Sequence, residues 1–306
     1  MTGIEAELRR RSGATGPAVR KAARDGWEND CQELSLGDLT VRNGHTAILT
    51  ELEPKYGVKP SFVELMGRAL AEPDVNQPVW ASTTLTLHER HDPAVWAAAA
   101  DLRDRPEPLE RYFGAEVLHL AILFDESDDD SFERPIVELF LAWAVREEDS
   151  RVLRALTAGL ANAMDARAEQ SLYALIRHRD PQVRRTALSG LTRAVTRGQA
   201  EAVTAALECT RDTDPAVREQ ACKALADSPA PSDTLATSLH DEAEAVRISA
   251  AIGLFVRDDP RGDAVLRALG PVDQDSPYFA AFHQVWYHHR AEQSSRVVDE
   301  FFGHDR

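Results

Sequence analysis

Six arginines fall within residues 177–197: Arg177, Arg179, Arg184, Arg185, Arg193 and Arg197, with Asp180 as the one acid among them. Guanidinium groups at this density can hold a phosphate or an acidic partner, because each offers a planar fork of donors. The same groups can equally pair with acids of neighbouring helices. Two tryptophans, Trp80 and Trp96, each follow a valine, Val79 and Val95. An indole on an open face is a binding anchor, whereas one turned inward buries a large area as packing. Asp125-Glu-Ser-Asp-Asp-Asp-Ser-Phe-Glu133 puts six acids into nine residues. It lacks the alternating acids and central glycine of a calcium loop and reads as a solvated connection between helices. His88-Glu-Arg-His91 spaces two histidines at i, i+3, and His283, His288 and His289 crowd the C-terminal stretch beside Trp286. Neither group has ligand spacing that converges on a metal. No nucleophile–base signature and no glycine-rich phosphate loop is present. No metal and no cofactor is expected, and the chain reads as non-enzymatic.

The elements that must carry these residues repeat. Asp180-Pro-Gln-Val-Arg-Arg-Thr-Ala-Leu-Ser-Gly-Leu191, Asp214-Pro-Ala-Val-Arg-Glu-Gln-Ala-Cys-Lys-Ala-Leu225 and Ala243-Glu-Ala-Val-Arg-Ile-Ser-Ala-Ala-Ile-Gly-Leu254 share Val, Arg, Ala and Leu at fixed spacing. Val183, Ala187 and Leu191 stand at i, i+4 and i+8 and share one helix face. Asp-Pro supplies an N-cap oxygen and a proline pre-set for the first helical position. Weaker copies centre on Arg111, on 153, where leucine replaces the arginine, and on Trp80. Ser276-Pro opens a further capped helix ending near His289. Second helices are expected at about 93–103, 134–146, 166–177, 199–210 and 260–269. A hairpin of helices every ~30–34 residues is a stacking unit that cannot bury its apolar face alone.

These segments resemble HEAT repeats of the short bacterial type also seen in the phycobilin-lyase-like group. The resemblance implies an all-α, right-handed α-solenoid of about six to seven helical hairpins over residues 61–306, with the acidic loop at 125–133. Residues 1–60, interrupted by Gly13, Gly16, Gly26, Gly37, Gly44 and Gly57, are expected to form an irregular helical N-terminal cap, and no strands are expected. The resemblance also implies a ladder in which an aspartate six residues before each arginine pairs with a neighbouring repeat, as Asp212 before Arg218 and Asp241 before Arg247 would allow. His178 stands where the acid before Arg184 should be. HEAT enzymes of the deoxyhypusine hydroxylase kind hold two irons with several His-Glu dipeptides, and this chain has one, His88-Glu89.

Charge bounds the function. The 306 residues carry 35 Lys+Arg against 51 Asp+Glu, a net −16. Residues 1–150 hold 16 basic and 29 acidic side chains, or −13; residues 151–306 hold 19 and 22, or −3. This opposes general nucleic-acid binding, which needs a cationic surface, and leaves room for a local basic patch on the repeats. Cys31, Cys209 and Cys222 form no C-x-x-C pair, which suits a reducing compartment. The N-terminal stretch lacks a signal peptide's apolar run, and no run is long enough to span a bilayer. A cytoplasmic location is expected. The reading is a non-enzymatic scaffold that binds a protein or peptide along its concave face, through Trp80, Trp96, Arg111, Arg184, Arg185, Arg218 and Arg247. The alternatives are a HEAT-like DNA glycosylase acting on alkylated bases, with Trp80, Trp96 and Asp92 around the lesion, and a lyase-like chaperone for a cofactor or chromophore.

Overall fold

The computed structural model describes residues 2–24, 30–42, 45–124, 133–163, 165–269 and 278–279. The side chains of the acidic run at 125–133 and the group His283, Trp286, His288 and His289 lie outside what is described, as does the helix expected after Ser276. The chain divides into two compact units, Met1–Leu139 and Phe140–Arg306.

The first unit opens with α1 (Thr2–Ser12) and an antiparallel meander of β1 (Val19–Arg24), β2 (Asp30–Leu36) and β3 (Leu39–Arg42), in spatial order β1-β2-β3. This corrects the expectation of a strand-free, irregular helical segment. Leu34-Ser35-Leu36 and Leu39-Thr40-Val41 alternate with period 2 on either side of Gly37-Asp38, which is a hairpin pattern. Gly37 sits at φ +59, the left-handed conformation that the first position of a two-residue hairpin loop demands. Leu34 and Leu36 are buried against Leu8 of α1. On the opposite face Ser35 Oγ and Thr40 Oγ1, paired across the strands, lie 2.8 Å apart.

Among the described residues α2 (His45–Lys55), α3 (Phe62–Leu70), α4 (Pro78–His88), α5 (Pro93–Asp101) and α6 (Pro108–Leu123) follow. α2 packs on α4 and α4 on α6, with α3 and α5 laid against them. Phe113 is fully buried, meeting Phe62 edge-on at a centroid distance of 5.7 Å and Trp80 at a tilt at 6.0 Å. The unit boundary falls within α7 (Glu133–Ala144).

The second unit is a stack. Its helices are α8 (Ser150–Asn162), α9 (Ala166–Leu175), α10 (Pro181–Thr196), α11 (Ala200–Cys209), α12 (Pro215–Leu225), α13 (Ser232–Ser238), α14 (Glu244–Val256) and α15 (Asp263–Leu269). α8, α10, α12 and α14 pack in succession as one layer, while α9, α11 and α13 each bridge two of them. The repeat pattern explains this directly. Val183, Ala187 and Leu191, Val217, Ala221 and Leu225, and Val246, Ala250 and Leu254 are all at most 1% exposed. Each buried Val or Leu side chain contributes about 1.5–3 kcal/mol of transfer free energy. Glycine sets one close approach: a Cβ on Gly190 of α10 would stand 2.6 Å from Ala161 Cβ and 2.7 Å from Leu172 Cδ1. The helices expected at 166–177, 199–210 and 260–269 are present as α9, α11 and a 3-10 turn leading into α15.

Candidate interaction face

The site begins at the helix starts. In α10, Asp180 takes an extended conformation and its carboxylate accepts the Gln182 and Val183 amide N–H groups at 2.8 and 3.4 Å, with Pro181 at the first helical position. Asp149 of α8 accepts the Arg151 and Val152 N–H groups, and Asp214 of α12, followed by Pro215, accepts that of Ala216. The fourth residue after each cap is then pointed back over the preceding turn. Arg111, Arg184, Arg218 and Arg247 all occupy that position. All four donate through Nη1 to the carbonyls six and five residues earlier, at 2.9–3.3 Å. These arginines first close the turn that leads into their own helix.

The other edge of the guanidinium reaches the next repeat. Arg184 Nε and Nη2 donate to both oxygens of Asp212 at 2.8 and 2.6 Å. Arg218 does the same with Asp241 at 2.8 and 2.8 Å. The side chains are 9–13% exposed in both pairs. Each acid also accepts the backbone N–H two residues on, Asp214 for Asp212 and Ala243 for Asp241, at 2.8 Å. One carboxylate thus ties its own turn to the preceding helix. Arg218's hydrogen bonds hold the Asp241 carboxyl below its ordinary range. Burial pushes Asp212 up, but its bonds with Arg184 and the Asp214 amide outweigh that, and it too lies low. The pairs also show that α10, α12 and α14 run parallel, with their N-terminal ends side by side.

Between α8 and α10 the rung is missing, and both halves are missing together. The arginine position of α8 is Leu153, 3% exposed. The acid position that would meet it is His178, whose Nδ1 accepts the Asp180 N–H at 3.0 Å. Histidine keeps the turn-closing acceptor, and no cation demands a carboxylate there. The cation has moved by one residue. Arg154 stands on the open side of α8, its side chain 43% exposed, with Nη2 3.4 Å from Asp180. Its structural equivalent in α10, five residues after the cap, is Arg185. Arg185 is exposed and makes no hydrogen bond or ion pair among the described residues. Arg179, also exposed, reaches only the Glu148 carbonyl among the described residues, at 3.4 Å.

The remaining expected site residues separate. Trp80 is 3% exposed, donates its indole N–H to the Glu72 carbonyl at 2.9 Å and packs on Tyr112 and Phe113. It follows its cap by three residues, the slot of Val183, Val217 and Val246, so it is a core residue and not a stand-in for the ladder arginine. Trp96 does stand four residues after its cap, Asp92, and is half-buried. Arg193 and Arg197 line a cleft of about 710 Å³ with Asn162, Glu169 and Ser189, beside the C-terminal half of α10. His88 is buried, and desolvation and His91 hold its pKa low; their rings lie 5.3 Å apart. Cys209 and Cys222 are buried thiols pushed up to about 11 by desolvation. Sequence reasoning missed Arg154, whose weight appears only when α8 lies beside α10. It also missed Arg257, whose guanidinium is enclosed by the carbonyls of Leu225, Ala226, Ser228 and Ala230 and so staples the α12–α13 turn.

Capped hairpins stacked in register and tied by Arg–Asp rungs define an α-helical repeat protein. Residues 137–226 and 168–254 match a family model of HEAT repeats, so this part of the chain is built of HEAT repeats. No curated protein matches it. Among solved structures, YibA of Escherichia coli is similar in fold, at 17% identity and a TM-score of 0.57 over 80% of this chain and 91% of that one. Human deoxyhypusine hydroxylase in complex with glycerol aligns at 16% identity with a TM-score of 0.29, covering 79% and 86% of the two chains. A chain of the Pds5–Scc1 complex aligns at 16% identity with a TM-score of 0.41, covering 81% and 41%. The last two likenesses are too loose to say anything of this chain. No described helix is long and apolar enough to cross a membrane.

Proposed function

We propose that the protein is a scaffold that binds a protein or peptide partner on the open face of the α8–α10–α12 layer. One observation carries this reading: the ladder uses Arg184 and Arg218 internally, while the next residue of the same helix, Arg185, is turned to solvent with no partner among the described residues. Arg184 and Arg218 therefore hold the face together and leave the contacts to others. Arg247 closes its own turn in the same way as these two, and Trp80 supports its helix from inside. Arg185 is the contact residue of the original set that this face offers. Its stripe along α10 continues through Ser189 and Arg193, which adjoin the cleft. Repeat proteins use such extended layers for recognition because stacking presents equivalent positions side by side.

The test is a bulky block on the face. Ser189 is exposed, so Ser189→Trp should fold as the parent does and lose capture of the partner that the parent retains from its native cytosol. Undiminished capture by Ser189→Trp, with the same partner and an unchanged melting curve, would refute this placement.

A further inference from the structure

We infer that the partner segment is acidic, and that Arg154 and Arg185 are the paired anchors that read its carboxylates. This rests on the interaction-face reading above and specifies its chemistry. Arg154 and Arg185 occupy the same position, five residues after their caps, on two helices packed side by side. The Arg154–Asp180 contact shows that these two helix starts are adjacent. One turn further along lie Ala158, half-buried, and Ser189, exposed, both with small side chains.

The cap acids of α8 and α10 are already engaged. Asp149 accepts two amide N–H groups of its own helix and both donors of Arg151. Asp180 accepts Gln182 and Val183 and offers Arg154 only a contact at 3.4 Å. Arg179 flanks the pair, bound among the described residues only to a carbonyl at 3.4 Å. Three guanidinium groups therefore stand at the helix starts where the ladder has lost its rung, and none of them makes more than a 3.4 Å contact among the described residues. On the far flank Glu219, at the equivalent position of α12, is bonded to Lys223 at 2.6 Å. A guanidinium fork matches a carboxylate in bidentate fashion. An acidic peptide, needing only a few such pairs, fits three cations better than a duplex does, since duplex binding on a chain of net −16 would require a longer track of cations.

The probe is a labelled oligo-glutamate peptide, titrated against the full chain by fluorescence anisotropy at low ionic strength. Arg154→Glu/Arg185→Glu should weaken binding at least about tenfold without lowering the melting temperature. Arg154→Lys/Arg185→Lys, which keeps charge and loses the fork, should cost only about threefold. Arg261→Glu/Arg267→Glu makes the same change in net charge elsewhere and should stay within about twofold. The inference is overturned if the parent does not bind the peptide, if the matched control weakens as much as the anchor pair, or if a duplex DNA of equal charge binds more tightly than the peptide. Capture of the cytosolic partner separates the two levels. Loss with Ser189→Trp but not with Arg154→Glu/Arg185→Glu removes the acidic chemistry and leaves the face; no loss with either removes the face as well.

Discussion

The junction between α8 and α10 and the junction between α10 and α12 are built from the same parts and differ in one rung. At α10–α12, Arg184 and Asp212 lock together through two hydrogen bonds with both side chains nearly enclosed. At α8–α10, Leu153 fills the arginine slot, His178 fills the acid slot, and the cation has moved to Arg154 on the open side. A closed rung spends its arginine on architecture. An open rung fills the slot with apolar packing and frees a cation for solvent. Losing both halves together costs little, because replacing a buried ion pair by packing is often neutral, whereas losing one half strands a buried charge.

Stranding a charge should therefore have the largest effect. Arg218→Met leaves Asp241 nearly enclosed without its cation and opens the Asp212 and Thr213 carbonyls. It should lower unfolding free energy by about 3 kcal/mol, read as a shift in urea midpoint at unchanged slope. Rebuilding the missing rung is the next test. Leu153→Arg alone should destabilise, since it buries a cation, and His178→Asp alone should change little. Together they should recover stability with a coupling of about 1–2 kcal/mol in a double-mutant cycle. Additive effects would mean that 153 and 178 do not face each other as a rung.

The acid limb of stability gives the smallest effect. Asp212 and Asp241 titrate below their ordinary range in the folded chain. Unfolding raises those pKa values, so the unfolded chain binds more protons and the rungs stabilise fully above the unfolded value of about 3.9. That contribution disappears as pH falls through the folded values. Asp212→Asn/Asp241→Asn should be less stable than the parent at neutral pH, and the gap should narrow between about pH 5 and about pH 2. A gap that stays constant down to the acid transition would show that the carboxylates' charge is not what the rungs use.

Much of this comparison was legible beforehand. Val183, Ala187 and Leu191 announced a buried stripe through their spacing, and Asp180-Pro181 announced the start of a helix. Arg184, Arg218 and Arg247 announced a repeated role through their common position. The resemblance to HEAT repeats supplied the ladder. The meander at 19–42 was harder to read, because Val19-Arg-Lys-Ala-Ala-Arg24 carries no alternation, and the one period-2 signal lies across Gly37-Asp38, where the glycine also reads as a helix breaker. Trp80 was misplaced by one residue in the register, which turned a core position into a surface one. The relation of Arg154 to Arg185 spans 31 residues in sequence, and only the packing of α8 on α10 makes them neighbours.

Arg184 and Arg185 are consecutive, identical in chemistry and assigned opposite duties, so they isolate the division between ladder and surface. Urea unfolding of Arg184→Met and Arg185→Met, measured side by side, tests it most directly. Arg184→Met should lose about 2–3 kcal/mol, and Arg185→Met should stay within about 0.5 kcal/mol of the parent. Equal losses from the two substitutions would contradict the division, and with it the view that the open rung is where this repeat stack turns its cations outward.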